Sequence, residues 1–439
     1  MPTSKATSSL IFLIEALHPD GAAESAADVL TRHGPARSAP WALEELSGDA
    51  VAWVSVRPGG RRSARRRLRR AGLRVAGSWL AVPPRAPRAL VPLSGTTRPV
   101  RSRIAASLSS RGWRAVLRLP AGLVEEIGPG VGLVVQRADA RPTFAWLDAT
   151  GLHPPVVVSA GWHDPAEGLL LHGEGSLVKS SRPGAGRDPG AEAAALRQLG
   201  PAARAAGAAV PRVVYAGRAG RRLALAEEVI AGERVAGLLR RRPARLAGVL
   251  QEIGDWIAGW HERTRVTRPF SADDLERFVL APMRVAAPLL PAGTDYADRV
   301  AELGRELVGI RLPFSAAHND LTTWNVLLGS GGLAIVDWEA AEPEALPLVD
   351  LDYLIVDAVA AARRIAREEA FARCAGEGAD ARLADDLRDA LCARLDLSFE
   401  ATELGRHACW LGHARNEAVR PPGREARPFL TILRSIAAT

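Results

Sequence analysis

Residues 316–339 read AAHNDLTTWNVLLGSGGLAIVDWE, with polar positions at both ends, two short apolar runs and a glycine-rich centre. VLL and LAIVD are apolar and β-prone, and GSGG between them is a turn signal, so this pattern predicts a β-hairpin. Symmetric pairing about the turn sets Asn325 opposite Val336 and next to Asp337. Residues 151–230 read as strands (PPVVVSA, GLLLHG, SLVKSS, PRVVYAG, RLALAEEVI) around one helix, AEAAALRQLGPAARAAG. From about Leu238 onward helices dominate, as in RLAGVLQEIGDWIAGWHERT, and the hairpin gives the only clear strand signal. Residues 1–150 mix short strand-like and helical pieces between Pro/Gly turns; within them, RRSARRRLRRAGLRVAGSWLAV reads as a helix stopped at Gly72 and a strand over Leu73–Val82. The pattern predicts an α+β chain: an α/β region over 1–150, a small β-rich lobe over 151–235 and a helical lobe over 236–439.

Charge refines that division. Residues 1–150 carry 22 Lys+Arg against 11 Asp+Glu, whereas residues 151–439 carry 35 against 38, so the basic excess belongs to the first third. Between Asp49 and Glu125 there are 17 arginines and no acid. Such a run reads first as a solvated helix face, and binding of nucleic acid or an anionic glycan is the alternative. No aromatic residues interleave the arginine cluster, as a single-strand platform would want. The apolar runs fall short of the ~20 residues a membrane span needs, so no span is expected, nor is a signal peptide. Three cysteines without metal-ligand spacing are expected in a reducing cytoplasm. Of 57 basic residues only Lys5 and Lys179 are lysines. Lys179, inside the apolar-flanked SLVKSS, suggests a place where a compact ammonium is wanted and a guanidinium fork is not.

The hairpin brings an amide and a carboxylate to one end. Asn325 and Asp337 are a fitting pair of hard-oxygen ligands for Mg2+, which takes its remaining ligands from water and phosphates. His318 and Asp320 enter the same end from the preceding loop. Taken singly, each residue reads as a strand or turn cap; the set at this spacing does not.

HNDLTTWN followed by IVDWE resembles the H-x-D-x-x-x-x-N and D-x-D/E motifs of the aminoglycoside phosphotransferase and choline kinase superfamily, relatives of the protein kinases. The resemblance covers residues 155–430, with Lys179, the helix carrying Glu192, VPRVVYAG, LAEEVIAGE, IAGWHERT and PLVDLDYL in order. It implies a bilobal protein-kinase-like fold in which Lys179 holds the α/β-phosphates of ATP, or of GTP, and pairs with Glu192. It implies that Asp320 takes or orients the acceptor's hydroxyl proton, that Asn325 and Asp337 hold Mg2+, and that His318 fixes the loop by hydrogen bonding. Glu227 to Ile230, with Glu228, Val229 and Ile230 at its centre, would form the hinge that reads the base, and Asp352 would brace the catalytic loop. A base of ordinary carboxylate pKa suffices for such chemistry, so Asp320 need not be strongly perturbed.

The sequence departs from the family at Asn319, where Gly is common, and at Trp324, where a small residue is common and a packing role is expected. Gly161–Gly168, GWHDPAEG, lacks G-x-G-x-x-G and is a weak phosphate cradle. Part of the basic third is also similar to the terminal helix-and-strand portion of some bacterial methyltransferases acting on glycans, but no glycine-rich cofactor loop precedes it. Two function classes follow: a kinase for a hydroxyl on a sugar, aminoglycoside or amino alcohol, and a pseudokinase-like binding or scaffolding protein. The complete set Lys179, Glu192, Asp320, Asn325 and Asp337 favours the enzyme.

Overall fold

The computed structural model describes residues 13, 16–17, 29–32, 48–55, 61–82, 88–93, 111–127, 130–154, 156–160, 168–183, 188–290, 295–419 and 427–438. Lys5 and all of the Gly161–Gly168 loop except Gly168 lie outside them. The chain divides into two units, residues 1–193 with 212–229, and residues 194–211 with 230–439.

In the first unit ten strands form one sheet. They are β1 (Val29–Arg32), β2 (Val51–Ser55), β3 (Leu73–Val82), β4 (Ala89–Pro92), β5 (Val131–Arg137), β6 (Val157–Ala160), β7 (Leu169–His172), β8 (Ser176–Ser181), β9 (Val213–Ala219) and β10 (Arg222–Glu228). Their spatial order is β1-β2-β5-β3-β4-β6-β7-β8-β10-β9. Helix α1 (Arg61–Arg70) turns Ala64 and Leu68, four apart, onto Ala52, Val54, Leu133 and Val135. Arg62, Arg66, Arg69 and Arg70 are exposed. Gly72 ends this segment at φ 71°, a left-handed conformation that costs glycine nothing, and β3 starts at Leu73 as the pattern predicts. Helices α2 (Arg111–Arg118) and α3 (Ala121–Ile127) bring Leu117 and Val124 against Leu80, Val91 and Val157.

The boundary expected at residue 150 falls inside this sheet. β4 pairs with β6 through Ala89↔Ser159 and Leu90↔Val158. The reason lies in the apolar run Val156–Val158, which needs cover on both faces. Val157 is buried among Leu117 and Val124, while Val158 joins Trp53, Trp79, Phe144 and Trp146 on the other side. Residues from before 150 thus supply both covers.

Helix α4 (Pro189–Ala205) starts in the first unit and continues in the second. The second unit then runs β11 (Glu233–Arg234), α5 (Val235–Arg241), α6 (Leu246–Thr264), β12 (Val266–Pro269), α7 (Ala272–Leu275), α8 (Ala281–Ala286), α9 (Tyr296–Leu307), β13 (Arg311–Ala317), β14 (Val326–Gly329), β15 (Gly332–Ile335) and β16 (Glu342–Ala345). It closes with α10 (Val349–Arg363), α11 (Arg367–Ala375), α12 (Ala379–Leu395), α13 (Phe399–Ala418) and α14 (Pro428–Ala437). Helices dominate as expected, but the hairpin is not the only β structure. β11 adds to β14, and β12, β13 and β16 make a second small sheet. A two-residue strand such as β11 leaves no readable pattern, and β13 is buried at six successive positions, so it shows no alternation.

On α6 the stripe Val249, Leu250, Ile253, Trp256, Ile257 and Trp260 is buried at helical spacing. It leads into an aromatic ladder. Trp256 stacks on Trp260 at 5.1 Å, Trp260 meets Trp338 edge-on at 5.4 Å, and Trp338 meets His318 edge-on at 5.1 Å. The polar loop that follows is therefore seated on core aromatics.

Candidate active site

The hairpin forms in the predicted register. Val326 faces Ile335 and Gly329 faces Gly332, and the N–H of Val336 donates to the carbonyl of Asn325 at 2.9 Å. Asp337 follows with φ 70°, so the chain turns out of the strand at the carboxylate. Asn325 donates its side-chain amide to both the carbonyl and the carboxylate of Asp320, each at 2.9 Å. That commits the amide nitrogen and leaves the amide oxygen as the atom able to ligate a hard cation. The carboxylate oxygens of Asp337 and Glu339 lie within 4.8 Å of one another.

These acids crowd Asp320. Burial pushes its carboxyl up to about 7, and the neighbouring Asp337 adds to the rise, against a hydrogen bond from Asn325 that lowers it. The sequence requires no such shift for the chemistry and offers no sign of it. Linear spacing does not convey that Asp320 is half-buried among other acids. A divalent cation at Asn325 and Asp337 would relieve this crowding, so the donor set fits Mg2+.

The loop is pinned by carboxylates from α10. Asp350, 1% exposed, accepts from the backbone N–H of His318 at 2.6 Å and of Asn319 at 2.8 Å. Asp357, seven residues on and so on the same helix face, accepts from the N–H and the hydroxyl of Thr323 at 2.9 and 2.6 Å. The brace is Asp350 and not Asp352, as the sequence had suggested: Asp352 instead pairs with Arg388 at 2.6 Å. Two positions along a helix turn a side chain by about 200°, which separates the two carboxylates. Asn319 sits at φ 59°, a conformation that Gly adopts freely and Asn tolerates, which accounts for the departure from Gly. His318 is fully buried and its Nε2 lies 3.2 Å from the carbonyl of Val336, tying the loop to the hairpin. Trp324 is half-buried, with the guanidinium of Arg234 5.8 Å and that of Arg240 5.4 Å from its ring centre.

In the first unit, the ammonium of Lys179 on β8 meets Glu192 on α4 at 2.5 Å and Glu227 on β10 at 3.5 Å. Glu192 is buried, and Lys179 is 15% exposed at its side chain. Sequence reasoning paired Lys179 with Glu192 alone. Glu227 was placed in the hinge by its backbone, and its carboxylate was missed. The alternation along β10, which sets Leu225 opposite Lys179 and turns Glu227 to the same face, is the signal that could have found it. At the hinge, the N–H of Glu228 donates to the carbonyl of Arg212 and that of Val229 to the carbonyl of Gly175, both at 3.0 Å.

Among known proteins, several solved structures are similar over most of their own length. An aminoglycoside-3'-phosphotransferase of type VIII is 21% identical, with 58% of this chain and 93% of that chain covered and a TM-score of 0.38. Aminoglycoside phosphotransferase APH(3'')-Id from Streptomyces rimosus is 18% identical, with 57% and 92% covered and a TM-score of 0.35. A thermostable mutant of APH(4)-Ia in a ternary complex with AMP-PNP and hygromycin B is 14% identical, with 66% and 96% covered and a TM-score of 0.43. Comparison with curated proteins returns no match. The model of the phosphotransferase enzyme family matches residues 157–391, more than half of the chain, from β6 into α12, and this span carries these side chains. The chain belongs to the phosphotransferase enzyme family.

Proposed function

We propose that this protein is an ATP-dependent small-molecule kinase that moves the γ-phosphate to an alcohol hydroxyl on a sugar, aminoglycoside or amino alcohol. The observation that carries the reading is the bonded pair Asp320 and Asn325 in a loop held by Asp350 and Asp357. Phosphoryl transfer asks the protein mainly to position groups and neutralise charge, and this loop is fixed at both flanks of Asp320.

On this reading Asp320 accepts the acceptor's hydroxyl proton as the new O–P bond forms and the bond to the departing ADP oxygen breaks. Supporting this role, Asp320 is half-buried and bonded to Asn325 within the pinned loop. Asn325 and Asp337 would hold Mg2+, whose chemistry is to neutralise phosphate oxygens. Lys179, oriented by Glu192 and Glu227, would donate to the α/β-phosphates. Glu228, Val229 and Ile230 would contact the base, with ATP the expected nucleotide and GTP the alternative. His318 supports the loop and transfers no proton. No helix among the described residues is long and apolar enough to cross a membrane, and a cytoplasmic site of action is proposed.

Residues 1–150 are proposed as an accessory region. The binding or scaffolding alternative would leave one of the five site residues dispensable, and all five are present. A phosphotransfer assay over a panel of hydroxyl-bearing metabolites, with Asp320→Asn as control, tests the reading. Turnover above the control supports it, and none with any acceptor contradicts it.

A further inference from the structure

We infer that Arg234, Trp324 and Arg240 form an anion subsite beside the proposed metal ligands, and that it takes a phosphate or carboxylate group of one of the two reactants. The inference rests on the phosphotransferase reading for which reactants those are. Trp324 directly precedes Asn325. Arg234 stands on β11, paired through Leu327 with β14, and donates to the carbonyl of Trp324 at 2.6 Å. Arg240 comes from the last turn of α5, and its guanidinium lies over the same ring. Two guanidinium groups are therefore held 5.8 and 5.4 Å from the centre of one half-buried indole.

Neither arginine, among the described residues, has a carboxylate within ion-pairing distance, although the adjacent Arg241 pairs with Glu233. Both are exposed. Arg234 also lies within the field of Asp337. Like charges held together repel, and a bound anion offsets that repulsion while a guanidinium fork supplies two parallel donors. The indole face adds a platform for whatever carries the acid. A polycationic acceptor would meet repulsion at this point. The ligand chemistry has two sources, the polyphosphate of the nucleotide or an acidic substituent on the acceptor.

Calorimetric titration with MgATP and with inorganic pyrophosphate, on wild type and the R234M/R240M variant, separates them. Loss of affinity for both ligands by roughly tenfold or more assigns the subsite to the nucleotide. Unchanged nucleotide affinity with a comparable fall in kcat/KM for acid-bearing acceptors, but not for neutral ones, assigns it to the acceptor. Recovery of most of the effect in R234K/R240K, which restores charge without the fork, excludes a folding lesion. If wild type transfers no phosphate, the kinase reading fails, and pyrophosphate binding lost in the variant still upholds the subsite. Unchanged titrations and unchanged turnover of every acceptor overturn it.

Discussion

Asp357 holds Thr323 through one carboxylate oxygen, which accepts both its N–H and its hydroxyl, while Arg367 grips the other oxygen at 2.7 and 3.0 Å. The loop that carries Asp320 is thus tied, midway between Asp320 and Asn325, to a charge pair in the helical unit.

Breaking that pair should slow the reaction without abolishing nucleotide binding. Arg367→Met leaves a buried carboxylate unpaired, which costs about 3 kcal/mol of stability. It should lower kcat by roughly 10- to 100-fold as the loop loosens, with the KM for ATP little changed. Steady-state kinetics and denaturant melts check both numbers.

The two neighbouring acids of α10 should separate cleanly. Asp350→Ala removes the acceptor for His318 and Asn319, leaves two backbone donors unsatisfied and should lower kcat by about 100-fold or more. Asp352→Ala removes the buried partner of Arg388, leaving it only the exposed Asp385, and should lower stability by roughly 3 kcal/mol, while molecules that remain folded keep their turnover. Comparing kcat per folded molecule distinguishes them.

Lys179 is balanced by two acids, and they differ in distance. Glu192→Gln should raise the KM for ATP and lower kcat, together cutting kcat/KM by roughly 100-fold, because a charge-assisted bond at 2.5 Å is lost. Glu227→Gln, at 3.5 Å, should have the same direction and a smaller size. Equal effects in the two variants would show that charge and not orientation is at issue.

A pH dependence follows away from the site. Burial alone would raise the Asp274 carboxyl, but hydrogen bonds from Arg268 and Ser271 outweigh it and hold it at about 2, below the ordinary 3.8. The folded state therefore binds fewer protons than the unfolded one across this window. The stability this network adds is complete above 3.8 and is lost as pH falls toward 2. Urea midpoints measured across that range should fall more steeply for wild type than for Arg268→Met.

How much of this was written in the chain differs by level. The Val326–Ile335 hairpin and its register were legible because a glycine turn and two apolar runs fix each other, and Arg61–Val82 was legible because Gly72 punctuates it. The sharing of one sheet across residue 150 was not, since Val157 and Val158 show only that they want cover and not which segments provide it. The Lys179–Glu192 pair came from the family order of motifs. Asp350 was misplaced by two residues because both acids begin the same helix, and only the helix phase decides which one faces the loop. The raised carboxyl of Asp320 depends on burial, which no linear spacing conveys.

The central claim is that Asn325 and Asp337 hold a divalent ion that carries the nucleotide. Its most direct test is Mn2+ binding followed by electron paramagnetic resonance, with and without ATP, in wild type and in Asp337→Asn. The account predicts Mn2+ bound tightly by wild type when ATP is present, weakened by roughly 100-fold in the variant, whose fold and thermal midpoint stay intact. Equal Mn2+ affinity in the two proteins would contradict it.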